Sequence, residues 1–190
     1  MSKFKTATKE INGKKYTAQF NGIGEYSTAM DRMYIDGSKN ISLEKLSKYC
    51  LDNVIVTPKL SLADFAGDKV GQEKTRTLNG VEYTARFSGI LTALRMIDRC
   101  YIDGSSNTSM AKTYEYLFKN VIVEPKNLTA DDFDDVEDLN EVVAFATEVM
   151  QGDGIMDEFN QIISFAREVM DGSYFRHNPV EKTDGKKGAK

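Results

Sequence analysis

Few residues in this chain could perform catalysis or bind a metal ion. The only histidine is His177, and the two cysteines, Cys50 and Cys100, are widely separated. A catalytic nucleophile needs an adjacent base, and a zinc site needs clustered ligands. No P-loop, GxGxxG, HExxH or CxxC motif occurs in the sequence. The sequence therefore predicts a protein that is not an enzyme and has no metal or cofactor site.

The acidic segment 131–138 (DDFDDVED) could suggest a calcium site. An EF-hand loop places oxygen ligands at alternating positions and a glycine at its sixth position, and this segment lacks that pattern. Acidic residues also stabilise the start of a helix, because they complement the helix dipole. We therefore interpret the segment as a helix start.

Much of the chain is a duplication, and the secondary-structure elements that would position a site occur in both copies. The segments that recur 67 positions later are Asn12-Gly13, Tyr16-Thr17-Ala18, Gly22-Ile23, Asp31-Arg32, 34–38 and 53–56. About half of the aligned positions are identical, so we interpret the chain as two copies of one small unit. Cys50 aligns with Leu117, and Cys100 aligns with Met33, which predicts that both cysteines are core residues.

Each copy is predicted to begin with a β-hairpin and an amphipathic helix. The first hairpin spans 6–20 and contains Asn12-Gly13, a pair that type I′ turns prefer. The helix from Gly24 to Asp36 carries an apolar stripe, which we expect to cover one face of the hairpin. Asp31-Arg32 and Asp98-Arg99 lie largely off this stripe. A solvated helix face is the simpler interpretation, and a charged contact surface is the alternative.

A second helix, a short strand and a capping box complete each copy. The β-branched segments 54–56 and 121–123 predict the strands. The predicted N-caps and capping boxes are Ser42, Ser109, Ser61 with Asp64, and Thr129 with Asp132.

A shorter duplication follows, in which residues 139–152 match residues 159–172. Both segments have helical periodicity, and Gly152-Asp153-Gly154 joins them, which predicts an antiparallel helical hairpin. The first copy is not followed by such a helix. We therefore expect each copy to require one of the two tail helices, as in a fused pair.

These patterns predict an α+β fold, with two duplicated β-hairpin-plus-helices units followed by a C-terminal helical hairpin. The predicted division is 1–66 for the first repeat, 67–75 for a linker, 76–134 for the second repeat, 135–175 for the helical hairpin and 176–190 for a flexible tail.

The apolar faces of the tail helices are the candidate partner-binding surface. An amphipathic helix more often covers a core, so covering the two units is the simpler interpretation. The alternative is a groove that binds a helix of another protein. The candidate residues for such a groove are Phe145, Val149, Met150, Phe165, Val169, Met170, Tyr174 and Phe175.

Composition excludes two classes of partner. The formal net charge is −4, and no basic patch precedes the C-terminal tail, so we expect no nucleic-acid binding. No apolar segment reaches the roughly 18 to 20 residues that span a membrane, and the N-terminus lacks a signal-peptide pattern. These features predict a cytoplasmic protein with no membrane partner.

One set of segments is typical of a known family. It consists of 120–126 (NVIVEPK), Leu128, Asp131-Asp132-Phe133, 142–145 (VVAF) and Val149-Met150. With these segments the second copy and its tail helix resemble small tail assembly chaperones of siphophages and prophages of Gram-positive bacteria. The duplication departs from the single short unit that is usual in that family.

The resemblance implies a non-catalytic bacteriophage protein of the host cytoplasm. It would bind the tape measure protein, keep it soluble during tail assembly, and leave as tail tube subunits polymerise. The tail tube protein and further copies of the chain are additional partners that this interpretation leaves open. Two other functions also remain open, namely a structural or adaptor protein of the virion and a small phage inhibitor of a host protein.

Overall fold

The computed structural model describes residues 4–36, 38–65 and 69–178. The strands are β1 Lys5–Ile11, β2 Lys14–Phe20, β3 Ile55–Thr57, β4 Glu73–Leu78, β5 Val81–Arg86 and β6 Ile122–Glu124. The helices are α1 Ile23–Met33, α2 Leu43–Tyr49, α3 Ile90–Cys100, α4 Met110–Asn120, α5 Val136–Met150, α6 Ile155–Met170 and α7 Tyr174–His177. A π-helical turn, Cys50–Val54, continues α2. The predicted α+β class with a helical C-terminal part is confirmed.

Each unit contains a three-stranded antiparallel sheet, in the order β1-β2-β3 or β4-β5-β6. The two predicted hairpin turns are confirmed, because Asn12 and Gly13 have φ values of 50° and 76°, and Asn79 and Gly80 have φ values of 48° and 80°. Positive φ at both central residues is what a type I′ turn requires. Since β4 begins at Glu73, the last three residues of the predicted linker belong to a strand.

The predicted caps are also confirmed. The hydroxyls of Ser42 and Ser109 accept hydrogen bonds from the backbone N–H groups three residues later, which satisfies a donor at the start of α2 and of α4. Thr129 forms the predicted capping box with Asp132, whereas Ser61 donates two hydrogen bonds to Asp64; both pairs begin short 3-10 segments, Ala130–Asp132 and Leu62–Phe65, rather than long helices. The side chain of Asp135 caps α5.

The tail helices supply the main cover of the two sheets. α6 packs on β1 and β2 of the first unit, and α5 packs on β4 and β5 of the second unit. α1 packs mainly on α2 and adds Ala29 and Met33 to the same core, so α6 rather than α1 forms most of the cover of the first hairpin. α5 and α6 each belong to the core of a different unit, and they make few contacts with each other.

Both tail helices end against the same position of their unit. A Cβ on Gly152 would lie 2.6 Å from the ring of Phe87, and a Cβ on Gly172 would lie 3.5 Å from the ring of Phe20. Phe87 and Phe20 occupy equivalent positions after β5 and at the end of β2. The same helix-to-unit packing is thus made twice, which is the arrangement expected of a fused pair.

The two cysteines are buried, free thiols in the described fold, as the repeat predicted. Burial raises the pKa of the Cys50 thiol to about 12. Burial also raises the pKa of Cys100. A neutral thiol in an apolar environment is a packing residue rather than a nucleophile.

Candidate protein-binding groove

The structure places most of the predicted partner-binding residues inside the cores. Six of them, Phe145, Val149, Met150, Phe165, Val169 and Met170, are buried where α5 and α6 cover the two sheets. They do not form an exposed surface in this fold, because their apolar stripe is used to close the units. Tyr174 and Phe175 are partly buried and pack against Phe165 and Phe20 at the edge of the first unit.

The acidic segment that could have suggested a calcium site makes structural hydrogen bonds instead. Thr129 donates two hydrogen bonds to Asp132, and these bonds lower the pKa of that carboxyl. Within the described residues, no group of three or more His, Cys, Asp or Glu side chains could hold a metal ion. No helix in the same part of the chain is long and apolar enough to cross a membrane.

The two units are joined by packing α3 of the second unit onto the first. α3 contacts α2 and the 3-10 segment Leu62–Phe65. Ile90 and Leu94, on α3, are 1% and 4% exposed and belong to the core cluster of the first unit. A helix of the second unit therefore occupies the space between two elements of the first unit.

Asp98, also on α3, binds the N-terminus of α2. Its carboxylate accepts hydrogen bonds from the Ser42 hydroxyl at 2.5 Å and from the backbone N–H groups of Leu43 at 2.7 Å and Glu44 at 3.2 Å. A carboxylate suits this place because the helix dipole and the unpaired N–H groups both favour a negative charge. The interpretation of Asp98 as a solvated residue is therefore wrong, and the alternative of a charged contact surface applies to it.

Two further polar contacts cross between the units. Arg95 donates two hydrogen bonds to the carboxylate of Glu44, at 3.0 and 3.1 Å. This pairing raises the pKa of Arg95 further above its ordinary value. The Asn40 side chain donates to the backbone carbonyl of Ser105 at 2.7 Å.

The second unit has an open groove at the place that α3 fills in the first unit. The groove lies between α4 and the segment that follows it, and its volume is about 900 Å³. We call it the second-unit groove, and it is lined by Met110, Ala111, Tyr114, Glu115, Phe118, Lys119, Ile122, Val123, Lys126, Asn127, Leu128, Thr129 and Ala130. Met110, at its edge, is 63% exposed, whereas the equivalent Leu43 of the first unit is packed against the core.

The sequence repeat shows that the two units are equivalent, but it does not show that only one of their two grooves is filled within the chain. Equivalent residues lie in different environments, because only one of the two grooves is filled within the chain. Ile23 is 60% exposed although Ile90, its equivalent, is buried. Such a difference is invisible in sequence, since both copies have the same residue at that position.

Comparisons with known proteins identify no relative. No protein-family model, no curated protein and no solved structure matches the chain. The chain's own geometry and its internal repeat remain as indications of what it binds.

Proposed function

We propose that the chain is a non-catalytic protein that binds a helix of another protein chain in the second-unit groove. One observation carries the proposal, namely that the equivalent space in the first unit holds α3. The first unit is thus an internal example of the groove in its occupied state. The volume alone would also suit a small molecule, but the occupant of the equivalent site is an amphipathic helix.

The specific role that fits is that of a tail assembly chaperone acting in the host cytoplasm. Such a protein must keep a long, helical tape measure protein soluble, which requires protein–protein contacts and no chemistry. The resemblance of segments 120–126 and 142–150 to that family supports the role. The open apolar groove supports it as well, because an exposed apolar surface marks a site of protein interaction.

Co-expression with the tape measure protein of the phage that encodes the chain tests this role. We expect the tape measure protein to move from the insoluble to the soluble fraction when the chain is present, and to copurify with it. A variant with Tyr114→Asp in the groove should lose this effect, whereas Val81→Asp, at an exposed position on the second hairpin, should keep it. Unchanged solubility of the tape measure protein in the presence of the wild-type chain would contradict the proposal.

A further inference from the structure

We propose that the helix bound in the second-unit groove is α1 of another copy of this chain, so that copies associate head to tail. This inference goes beyond the proposed function, because it names a second occupant that competes with the tape measure protein for the same groove, and it rests on that function only for the groove's capacity to bind a helix. The chain itself presents both halves of the contact. The groove is open on the second unit, and α1 is the first unit's equivalent of α3.

α1 retains the residues with which α3 makes its contact. Ile23 takes the place of Ile90, and Asp31 takes the place of Asp98, with the same residue type at both positions. Ile23 is 60% exposed, and Asp31 is exposed as well. These two side chains are thus of the same types as the α3 residues that contact the first unit, but on α1 they are exposed at the surface of the described structure.

The groove retains the matching polar groups. Ser109 caps α4 as Ser42 caps α2, so the N-terminus of α4 presents the same hydroxyl and backbone donors to a carboxylate. Asp31 of a second copy would bind there as Asp98 binds α2. Asn107, an exposed residue, is the equivalent of Asn40 and would donate to the Ser38 carbonyl of the second copy.

The charged pair of the internal contact is replaced on both sides at once. Thr28 is equivalent to Arg95, and Ala111 is equivalent to Glu44. The external contact therefore juxtaposes two small, uncharged side chains instead of leaving one charge without its partner. Burying an unpaired charge is costly, so this paired replacement keeps the two surfaces compatible.

The external contact should be weaker than the internal one. Ser27 takes the place of Leu94, so α1 has one large aliphatic anchor where α3 has two. Less apolar surface is buried, and the association gains less free energy. We therefore expect an association that depends on concentration, in contrast to the permanent contact inside the chain.

The internal contact is heterologous, because α3 of one unit meets α2 of the other. Repeating it between chains leaves a free α1 face at one end of the assembly and a free groove at the other end. Such a contact produces an open chain of copies or, if the rotation closes, a ring. A closed two-fold dimer is not what this geometry predicts.

Sedimentation velocity on the purified full-length chain tests the inference. We expect the apparent mass to rise above the 21.3 kDa of one chain as concentration increases. Ile23→Asp removes the helix anchor, and Met110→Asp puts a charge at the edge of the groove, so each variant alone should remain monomeric. The two variants mixed should form a heterodimer, since each keeps one intact surface. Both positions are exposed, so folding should be retained and can be checked by circular dichroism.

A gain of affinity provides a second readout. Thr28→Arg combined with Ala111→Glu recreates the internal ion pair between copies, and the dissociation constant should fall by about two- to fivefold. Val81→Asp is the control and should associate like the wild type. A wild-type chain that stays monomeric at all concentrations, or association that survives both Asp variants, would overturn the inference. Because no partner protein is present, failure to solubilise the tape measure protein remains a separate result.

Discussion

Asp98 and Asp31 have the same place in the repeat but different environments. Asp98 accepts three hydrogen bonds at the start of α2, whereas Asp31 is exposed. The carboxylate of Asp98 therefore joins the two units and also completes a helix N-terminus. The role of a repeated side chain therefore depends on whether another part of the same chain lies next to it.

Asp98→Ala should lower the free energy of unfolding by about 1–2 kcal/mol, because the Ser42 hydroxyl and two backbone donors lose their acceptor. Urea denaturation at low protein concentration measures this loss. Asp31→Ala is the matched control and should change stability little under the same conditions. Equal effects of the two substitutions would contradict the contact at Asp98.

The Cys50 thiol gives a prediction about pH. Its pKa is raised from 9.0 to about 12 by burial, so the folded chain keeps this thiol neutral at a pH where an ordinary cysteine ionises. The unfolded chain releases that proton near pH 9, so this group contributes to stability below pH 9 and the contribution is lost as the pH rises toward 12.

Alkylation of the native protein at pH 8 should therefore leave Cys50 unmodified, while the same reaction in urea should modify it. Mass spectrometry of the digested protein identifies the labelled peptide. Rapid labelling of Cys50 in the native protein would show that the residue is accessible and would contradict its place in the core.

Local features of the elements could be predicted from the sequence, whereas the packing of the amphipathic helices could not. Type I′ turns, N-caps and capping boxes depend on local residues, so Asn12-Gly13, Ser42 and Asp132 could be predicted correctly. Which unit each tail helix covers depends on packing between distant segments, so it could only be guessed from the count of helices. An apolar stripe has the same pattern whether it faces a core or a partner, which is why Phe145 and Phe165 were candidates for partner binding.

Removing α6 tests the pairing of helices with units. In a chain that ends after Gly152, the first sheet loses the buried side chains of Phe159 and Ile162 that cover it. We expect the amides of β1 and β2 to lose protection from hydrogen exchange, while those of β4 and β5 stay protected under α5. Loss of protection in both sheets, or in neither, would contradict the separate pairing.

At the scale of the whole molecule, the duplication produces one internal contact and one unfilled copy of it. The second-unit groove, its exposed Met110 and the exposed Ile23 all follow from joining two equivalent units through a heterologous interface. The repeat was visible in the sequence, but the groove was not, because its walls come from segments that become neighbours only after folding. The candidate site therefore shifted from the tail helices to α4.

The central claim is that this groove binds a helix of another chain, and Met110 reports its occupancy directly. In a chain labelled with ¹³C at the methionine methyl groups, the Met110 resonance can be followed as the protein is concentrated and then as the tape measure protein is added. We expect the Met110 resonance to shift or broaden on binding, while that of Met170, which is buried on α6 in the core of the first unit, stays unchanged. Binding that leaves the Met110 resonance unmoved would contradict the claim.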